Sequence, residues 1–101
     1  MKKLLAILVV AVLCLGMTAI AEATYTVGVC QLVQHPALDA ATQGFQDALK
    51  EKLGEAVSFD VQNASGDSNT CSTIVNGFVS DGVNLIMANA TPAVAAAYQA
   101  T

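Results

Sequence analysis

The chain has 101 residues, of which 54% are hydrophobic and 12% are charged. Four lysines and no arginine stand against eight acidic residues, so the formal net charge is −4. A chain this acidic offers no basic patch, so nucleic acid and an anionic membrane are poor partners and we predict no nucleic-acid binding.

The first 23 residues predict a cleavable secretion signal. Two lysines precede an uncharged run over residues 4–21, and small residues that suit a signal peptidase follow it. We place the cleavage after Ala21 or Ala23. The alternative is an uncleaved membrane anchor, because the apolar run approaches the ~20 residues that span a bilayer. Cleavage after Ala23 leaves two lysines, seven acidic residues and a net charge of −5.

The next segment predicts a strand followed by a helix. Tyr25–Leu32 is rich in β-branched and apolar residues and is short enough for a strand that is covered on both faces. Pro36 suits a first helical turn, and apolar residues at a spacing of three to four predict a helix from Pro36 to Leu53 that Gly54 ends. The predicted buried face of this helix consists of Leu38, Ala41, Phe45, Ala48, Leu49 and Leu53.

A second strand and a second helix follow. Alternation over Val57–Val61 predicts a strand with one wetter face, near a sheet edge. Asn63–Asn69 is a polar turn in which Asp67 or Ser68 can cap the next helix, which is expected over Asn69–Asp81. The predicted buried face of that helix consists of Cys71, Ile74, Val75, Phe78 and Val79.

A third strand and a third helix follow. Gly82 closes the second helix, and the apolar run Val83–Met87 predicts a third strand that suits a central position. Thr91 and Pro92 form a cap and first-turn pair for a third helix. Thr101 falls within that helical pattern, and we expect the chain to be an interrupted part of a longer protein.

Strands that alternate with crossover helices predict a three-layer α/β fold, with a parallel sheet of order 2-1-3. Ligands of such sheets bind outside the carboxyl ends of the strands where the order reverses, here between the first and third strands. The candidate binding loops are therefore Gln31–Pro36 and Asn89–Pro92. Both lead into helix N-termini, which favour a carboxylate. For Thr91, helix capping and ligand contact remain equal alternatives.

The sequence favours neither catalysis nor a cofactor. The single histidine, His35, stands beside a proline and is expected to be a loop residue rather than a catalyst. A metal site would need a second histidine or a close cysteine pair. The chain also has no glycine-rich phosphate-binding motif. We therefore predict a protein that is not an enzyme and that carries no cofactor and no metal.

Two cysteines fall within the predicted α/β region, Cys30 in the first strand and Cys71 in the second helix. An oxidising compartment would allow them to pair. The favoured interpretation is two buried unpaired thiols, because the sequence does not supply the Cα separation that a disulfide requires.

A resemblance to a known family covers essentially the whole predicted mature chain. It begins with the run YTVGVCQLVQHPALDAA at residues 25–41 and the Gly44-Phe45 pair that follows. It continues in order through residues 63–67, 74–78 and 81–93. These motifs resemble the substrate-binding proteins of ABC importers, in the tryptophan/tyrosine-type family.

The resemblance implies a type I periplasmic-binding-protein fold, with residues 24–101 as the N-terminal part of lobe I. Two such lobes close on a small solute, which in some members of the family is an aromatic amino acid. The loaded protein docks on a membrane permease in an extracytoplasmic or periplasmic location. The implied ligand-binding residues are Gln31, Gln34, His35 and Thr91. One part of one lobe is not expected to bind ligand alone. The alternative is a stand-alone secreted flavodoxin-like interaction domain.

Overall fold

The structure is a computed structural model that describes residues 24–101. The predicted secretion signal, residues 1–23, lies outside the described residues. The elements are β1 (Tyr25–Gln31), α1 (Pro36–Leu53), β2 (Val57–Asn63), α2 (Ser68–Asp81), β3 (Leu85–Asn89) and α3 (Thr91–Ala100). A short 3-10 turn, Gly54–Ala56, joins α1 to β2. Over residues 24–101, the structure has no helix with the length and apolar character needed to cross a membrane.

The three strands form one parallel sheet in the order β2-β1-β3, as predicted. β1 is central, and its last five residues are buried because it has a strand on each side and helices on both faces. β2 is an edge strand that is largely exposed toward its end, also as predicted. The apolar sequence of the third strand suggests a central position, but within residues 24–101 it forms the second edge, and Leu85 is 49% exposed.

Helices cover both faces of the sheet and make three layers. Val27 and Val29 of β1 point to one side, where they pack with Phe45 and Leu49 of α1. The alternate β1 residues face α2 and α3 on the other side, because successive side chains of a strand point to opposite faces. The buried residues of this second cluster are Cys30, Ala64, Cys71, Ile74, Val75, Phe78, Ala93 and Ala96.

The close contact between β1 and α2 depends on Gly28. A Cβ atom at this position would lie 2.6 Å from the Phe78 ring, which is closer than atoms can approach without displacement. The absence of a side chain at Gly28 therefore lets α2 pack directly on the central strand.

The strand boundaries differ from the sequence predictions by one or two residues. β3 begins at Leu85 rather than Val83, because the Val83 N–H still donates to Phe78 O at 3.2 Å in the turn that ends α2. That turn is closed by Gly82 in the left-handed conformation, as predicted. β2 continues to Asn63, since its pairing with β1 extends to the Gln31–Asn63 partners.

The buried helix faces are narrower than predicted. Ala41 and Ala48 are exposed, and the most buried α1 residue is the polar Thr42. α1 contacts the sheet through a single stripe, so residues one position to the side of that stripe remain in solvent. On α2, Val79 is 46% exposed although its spacing predicts burial. The predicted cap of α2 is confirmed: the Asp67 carboxylate accepts from Asn69 N.

Candidate ligand-binding edge of the sheet

The two candidate loops lie side by side at one edge of the sheet. Gln31 at the end of β1 pairs in register with Asn89 at the end of β3. The Leu32 N–H then donates to Asn89 O at 3.1 Å, which continues the pairing into the loops. The structure therefore brings together the two segments that lead into α1 and α3, at the point where the strand order reverses.

Gln31 is buried at this edge, with 4% of its surface exposed, and its amide is bonded within the protein. Its Nε2 donates to Asp39 Oδ1 at 2.7 Å and to Val33 O at 2.9 Å. Its Oε1 accepts from Thr42 Oγ1 at 2.7 Å. These three bonds hold the β1–α1 loop and the first turns of α1 in a fixed relation to β1.

Asn89 extends this network to β3. Its Nδ2 donates to Thr42 Oγ1 at 2.9 Å and to Leu38 O at 2.9 Å. The Thr42 hydroxyl thus donates to Gln31 and accepts from Asn89, so that one side chain of α1 connects the ends of two strands. Among the described residues, every buried side-chain polar atom has a hydrogen-bond partner. A fully satisfied network of this kind makes the edge rigid.

His35 is the N-cap of α1. Its backbone is extended, and its Nδ1 accepts from Ala37 N at 3.1 Å. Because Nδ1 acts as an acceptor in this bond, the ring's own donor is Nε2. Pro36 occupies the first helical position, where a missing N–H costs nothing. His35 and its neighbour Gln34 are both exposed on the β1–α1 loop.

The predicted capping role of Thr91 is wrong. Thr91 is the first residue of α3, the N-cap position belongs to Ala90, and no side chain caps this helix within the described residues. Ala90 has φ 92° and ψ 158°, a conformation that residues other than glycine adopt only under strain. The reason is geometric: Asn89 is fixed in the buried network and Thr91 is already helical, so Ala90 alone makes the turn between them.

The absence of a side-chain cap leaves the first turn of α3 open. The first intrahelical bond runs from Val94 N to Ala90 O at 3.1 Å. The N–H groups of Thr91 and Ala93 precede it, and Pro92 between them has none. Thr91 is exposed whereas Ala93 is 0% exposed, so of these two donors the Thr91 N–H is the one on an exposed residue.

A polar groove of about 330 Å³ lies on the β2 side of the same edge. Gln31 and Gln34 line it, whereas His35 and Thr91 do not. Its other polar lining residues include Asp39, Gln43, Gln62 and Asn63. The four predicted site residues thus lie in different surroundings. Gln31 is buried in the polar network, and Thr91 begins α3. Gln34 and His35 are exposed on the β1–α1 loop.

Sequence reasoning missed Thr42 and Asn89, the two residues that join the loops. Thr42 follows Leu38 by four positions and precedes Phe45 by three, so a polar residue on a predicted apolar stripe was the available signal. Asn89 carried no comparable signal, because its partners are about 50 positions away in the chain. Asp39, in the first turn of α1, also belongs to the network, because its carboxylate accepts from Gln31.

The chain belongs to the ABC transporter substrate binding protein family, whose sequence profile matches residues 26–101. It is similar to a tyrosine-binding protein of Clostridioides difficile strain R20291, with 46% identity over 78 residues. That match covers 74% of this chain and 23% of the relative. The family resemblance is therefore confirmed.

Two solved structures share the fold with a TM-score of 0.73. One is a ligand-free, open structure of a substrate-binding protein with adhesive properties from Clostridium difficile, 43% identical, with 77% of this chain and 28% of that chain covered. The other is an ABC domain in complex with L-Trp from Streptococcus pneumonia, 35% identical, with 78% and 28% covered. The predicted α/β fold is confirmed, and the chain spans about a quarter of the length of these relatives.

Proposed function

We propose that this chain forms part of one wall of the solute cleft in the substrate-binding component of an ABC importer. The component captures a small solute, an aromatic amino acid in particular, between two lobes and delivers it to a membrane permease. Solute capture and delivery take place outside the cytoplasm and involve no catalysis and no cofactor. Family membership supports the class, and the tyrosine and L-Trp named for the relatives support the solute.

One observation carries the proposal: the carboxyl ends of β1 and β3 meet where the strand order reverses, beside a helix N-terminus that no described side chain caps. We propose that the carboxylate of the solute accepts from the hydroxyl and the N–H of Thr91, the first residue of α3. A helix N-terminus favours such an anion through its unpaired donors and its dipole.

The opposite loop supplies the remaining proposed contacts. Gln34 and His35 are exposed, and the His35 ring is oriented by its bond to Ala37 N. They offer an amide and a ring N–H to the polar groups of the solute. Gln31 belongs to the proposed site as the residue that holds this loop, since its amide is already bonded to Asp39, Val33 and Thr42.

Three strands supply only one wall. A binding pocket normally buries most of the surface of its ligand, and a single open wall does not. We therefore expect the 101-residue chain by itself to bind tryptophan, tyrosine and phenylalanine weakly, with no saturation at micromolar concentrations in a calorimetric titration. A micromolar affinity for the isolated chain would contradict the proposed two-lobed cleft.

A chimera tests the function directly. Residues 24–101 would replace the matching segment of the Clostridioides difficile tyrosine-binding protein, whose remaining sequence supplies the other wall. We expect the chimera to bind at least one aromatic amino acid in a calorimetric titration. Thr91→Ala and His35→Ala should weaken that binding, whereas Lys52→Ala, in the exposed last turn of α1, should not. A chimera that is folded by circular dichroism and binds none of the three would refute the proposal.

A further inference from the structure

Cys30 and Cys71 lie in the same buried cluster, on β1 and α2 respectively. Both are 0% exposed, and both are unpaired thiols. The predicted burial of both cysteines is therefore confirmed. The structure adds what the sequence could not supply, which is the position of one cysteine relative to the other.

The packing of α2 on β1 places Cys71 over Cys30. Gly28 and Cys30 are two residues apart and share a face of β1, and Gly28 is covered by the Phe78 ring. Cys71 precedes Phe78 by seven residues along α2. It therefore lies on the same face of the helix, about 10 Å nearer the helix start. A crossover helix runs opposite to its strands, so the start of α2 lies toward the carboxyl end of β1. Cys30 lies about 7 Å from Gly28, also toward the carboxyl end of β1.

Backbone hydrogen bonds fix the start of α2 at this position. Ala64 N donates to Gln31 O at 2.9 Å, and Gly66 N donates to Leu32 O at 2.7 Å. These bonds tie the β2–α2 loop to the end of β1, immediately after Cys30. Cys71 follows in the first turn, where its N–H donates to Asp67 O at 3.1 Å.

The two thiols also interact. Burial raises the pKa of Cys30 to about 12, and the neighbouring Cys71 acts in the same direction. The influence of Cys71 on Cys30 agrees with the placement that the Gly28–Phe78 contact requires.

We propose that Cys30 and Cys71 form an intramolecular disulfide when the chain folds in the presence of a disulfide oxidant, either a small disulfide or a dithiol–disulfide oxidoreductase. One cysteine thiolate attacks the oxidant's disulfide, forms a mixed disulfide and releases one thiol. The second thiolate attacks the mixed disulfide at its cysteine sulfur and releases the other thiol. Two electrons and two protons pass from the cysteine pair to the oxidant, which leaves as two thiols.

The bond links the central strand to the helix behind it and closes a loop of about 40 residues, which restricts the unfolded chain. Because thiolates are the reacting species and both thiols are buried, oxidation of the folded chain is slow and the bond forms mainly during folding. The proposal does not depend on solute binding, because neither cysteine lies at the candidate ligand-binding edge.

The test measures the effective concentration of the cysteine pair in the full chain. Cys14→Ala removes the third cysteine, and the chain is equilibrated with oxidised and reduced glutathione in buffer and in concentrated urea. After acid quenching and alkylation, trypsin cuts only at lysines, so one cysteine falls in residues 4–50 and the other in residues 53–101. Mass spectrometry then reports the disulfide as a link between these two peptides.

We expect the effective concentration in buffer to exceed that in urea by on the order of a hundredfold or more, since folding holds the sulfurs together. The matched control moves one cysteine by a single position, with Cys71→Ala and Ser72→Cys. This change preserves the loop length but rotates the thiol around α2, and the enhancement should be lost. Equal values in buffer and urea, or an unchanged enhancement in the control, would overturn the proposal.

Discussion

The β1–α1 and β3–α3 junctions occupy equivalent places in the fold but are built differently. Each follows the carboxyl end of a parallel strand and enters a helix with a proline in its first turn, Pro36 or Pro92. At the first junction, His35 caps the helix and Gln31 ties the loop to α1. At the second, no described side chain caps the helix, and Ala90 adopts a strained conformation.

The difference shows how one sheet edge can provide both rigidity and open donors. The first junction bonds the buried Gln31 amide within the protein and caps its own helix, so it acts as a support. The second places the exposed residue Thr91 at the start of α3, where its N–H has no described side-chain cap and, with its hydroxyl, can donate to a carboxylate. The Thr42–Asn89 hydrogen bond joins the junctions, so the supporting one fixes the position of the open one.

Removing the Thr42–Asn89 hydrogen bond should have the largest effect on stability. We expect Asn89→Ala to lower the free energy of unfolding by about 2–3 kcal/mol, because it deletes one buried and one part-buried hydrogen bond and leaves the Thr42 hydroxyl and Leu38 O each with one partner fewer. Urea denaturation of the full chain measures the change. Asn76→Ala, at an exposed position of α2, is the matched control and should change stability by less than about 0.5 kcal/mol.

A double-mutant cycle sharpens the result. If Thr42 and Asn89 act through one bond, then Thr42→Val and Asn89→Ala should be non-additive by about 0.5–3 kcal/mol. Strictly additive effects would mean that the two junctions are supported independently.

Releasing the strain at the second junction should have the next largest effect, in the opposite direction. Ala90→Gly permits the positive φ without a Cβ clash, and we expect the free energy of unfolding to rise by about 1 kcal/mol. The same substitution inside α3, Ala95→Gly, should lower it by about 1 kcal/mol, because glycine is unfavourable in a helix interior. A loss of stability at both positions would show that Ala90 is not strained.

The N-termini of α1 and α3 should respond differently when the side chain at each is shortened to alanine. His35→Ala removes the only side-chain acceptor seen at the start of α1 and should cost about 0.5–1 kcal/mol in thermal or urea unfolding. Thr91→Ala removes no cap and should change stability by less than about 0.5 kcal/mol. Equal losses for both substitutions would contradict the difference between the junctions.

Much of the architecture was predictable because it depends on local patterns. The crossover lengths predicted a parallel sheet of order 2-1-3, and Gly54 and Gly82 marked the ends of α1 and α2. Asp67 likewise marked the start of α2. These features involve residues close together in the chain, where hydrophobic period, turn chemistry and capping act directly.

The candidate site was predictable only in outline. The sequence located the two loops at the sheet edge, but it assigned Thr91 a cap that the structure does not have. It also gave no sign that the amide of Gln31 is used internally. The first outcome depends on Asn89, which residues of α1 hold in place. The second depends on Asp39 and Thr42 of the same helix, which bond the Gln31 amide.

The sequence by itself determined the order and type of the elements, the strand order and the family, since apolar spacing, glycines, prolines and a run of family motifs specify them. The tertiary structure decided which polar groups are satisfied and which remain open, the strain at Ala90 and the placement of Cys71 over Cys30. The physical reason is that a hydrogen bond or a contact between distant segments depends on the packed distance between them, and local sequence patterns do not encode that distance.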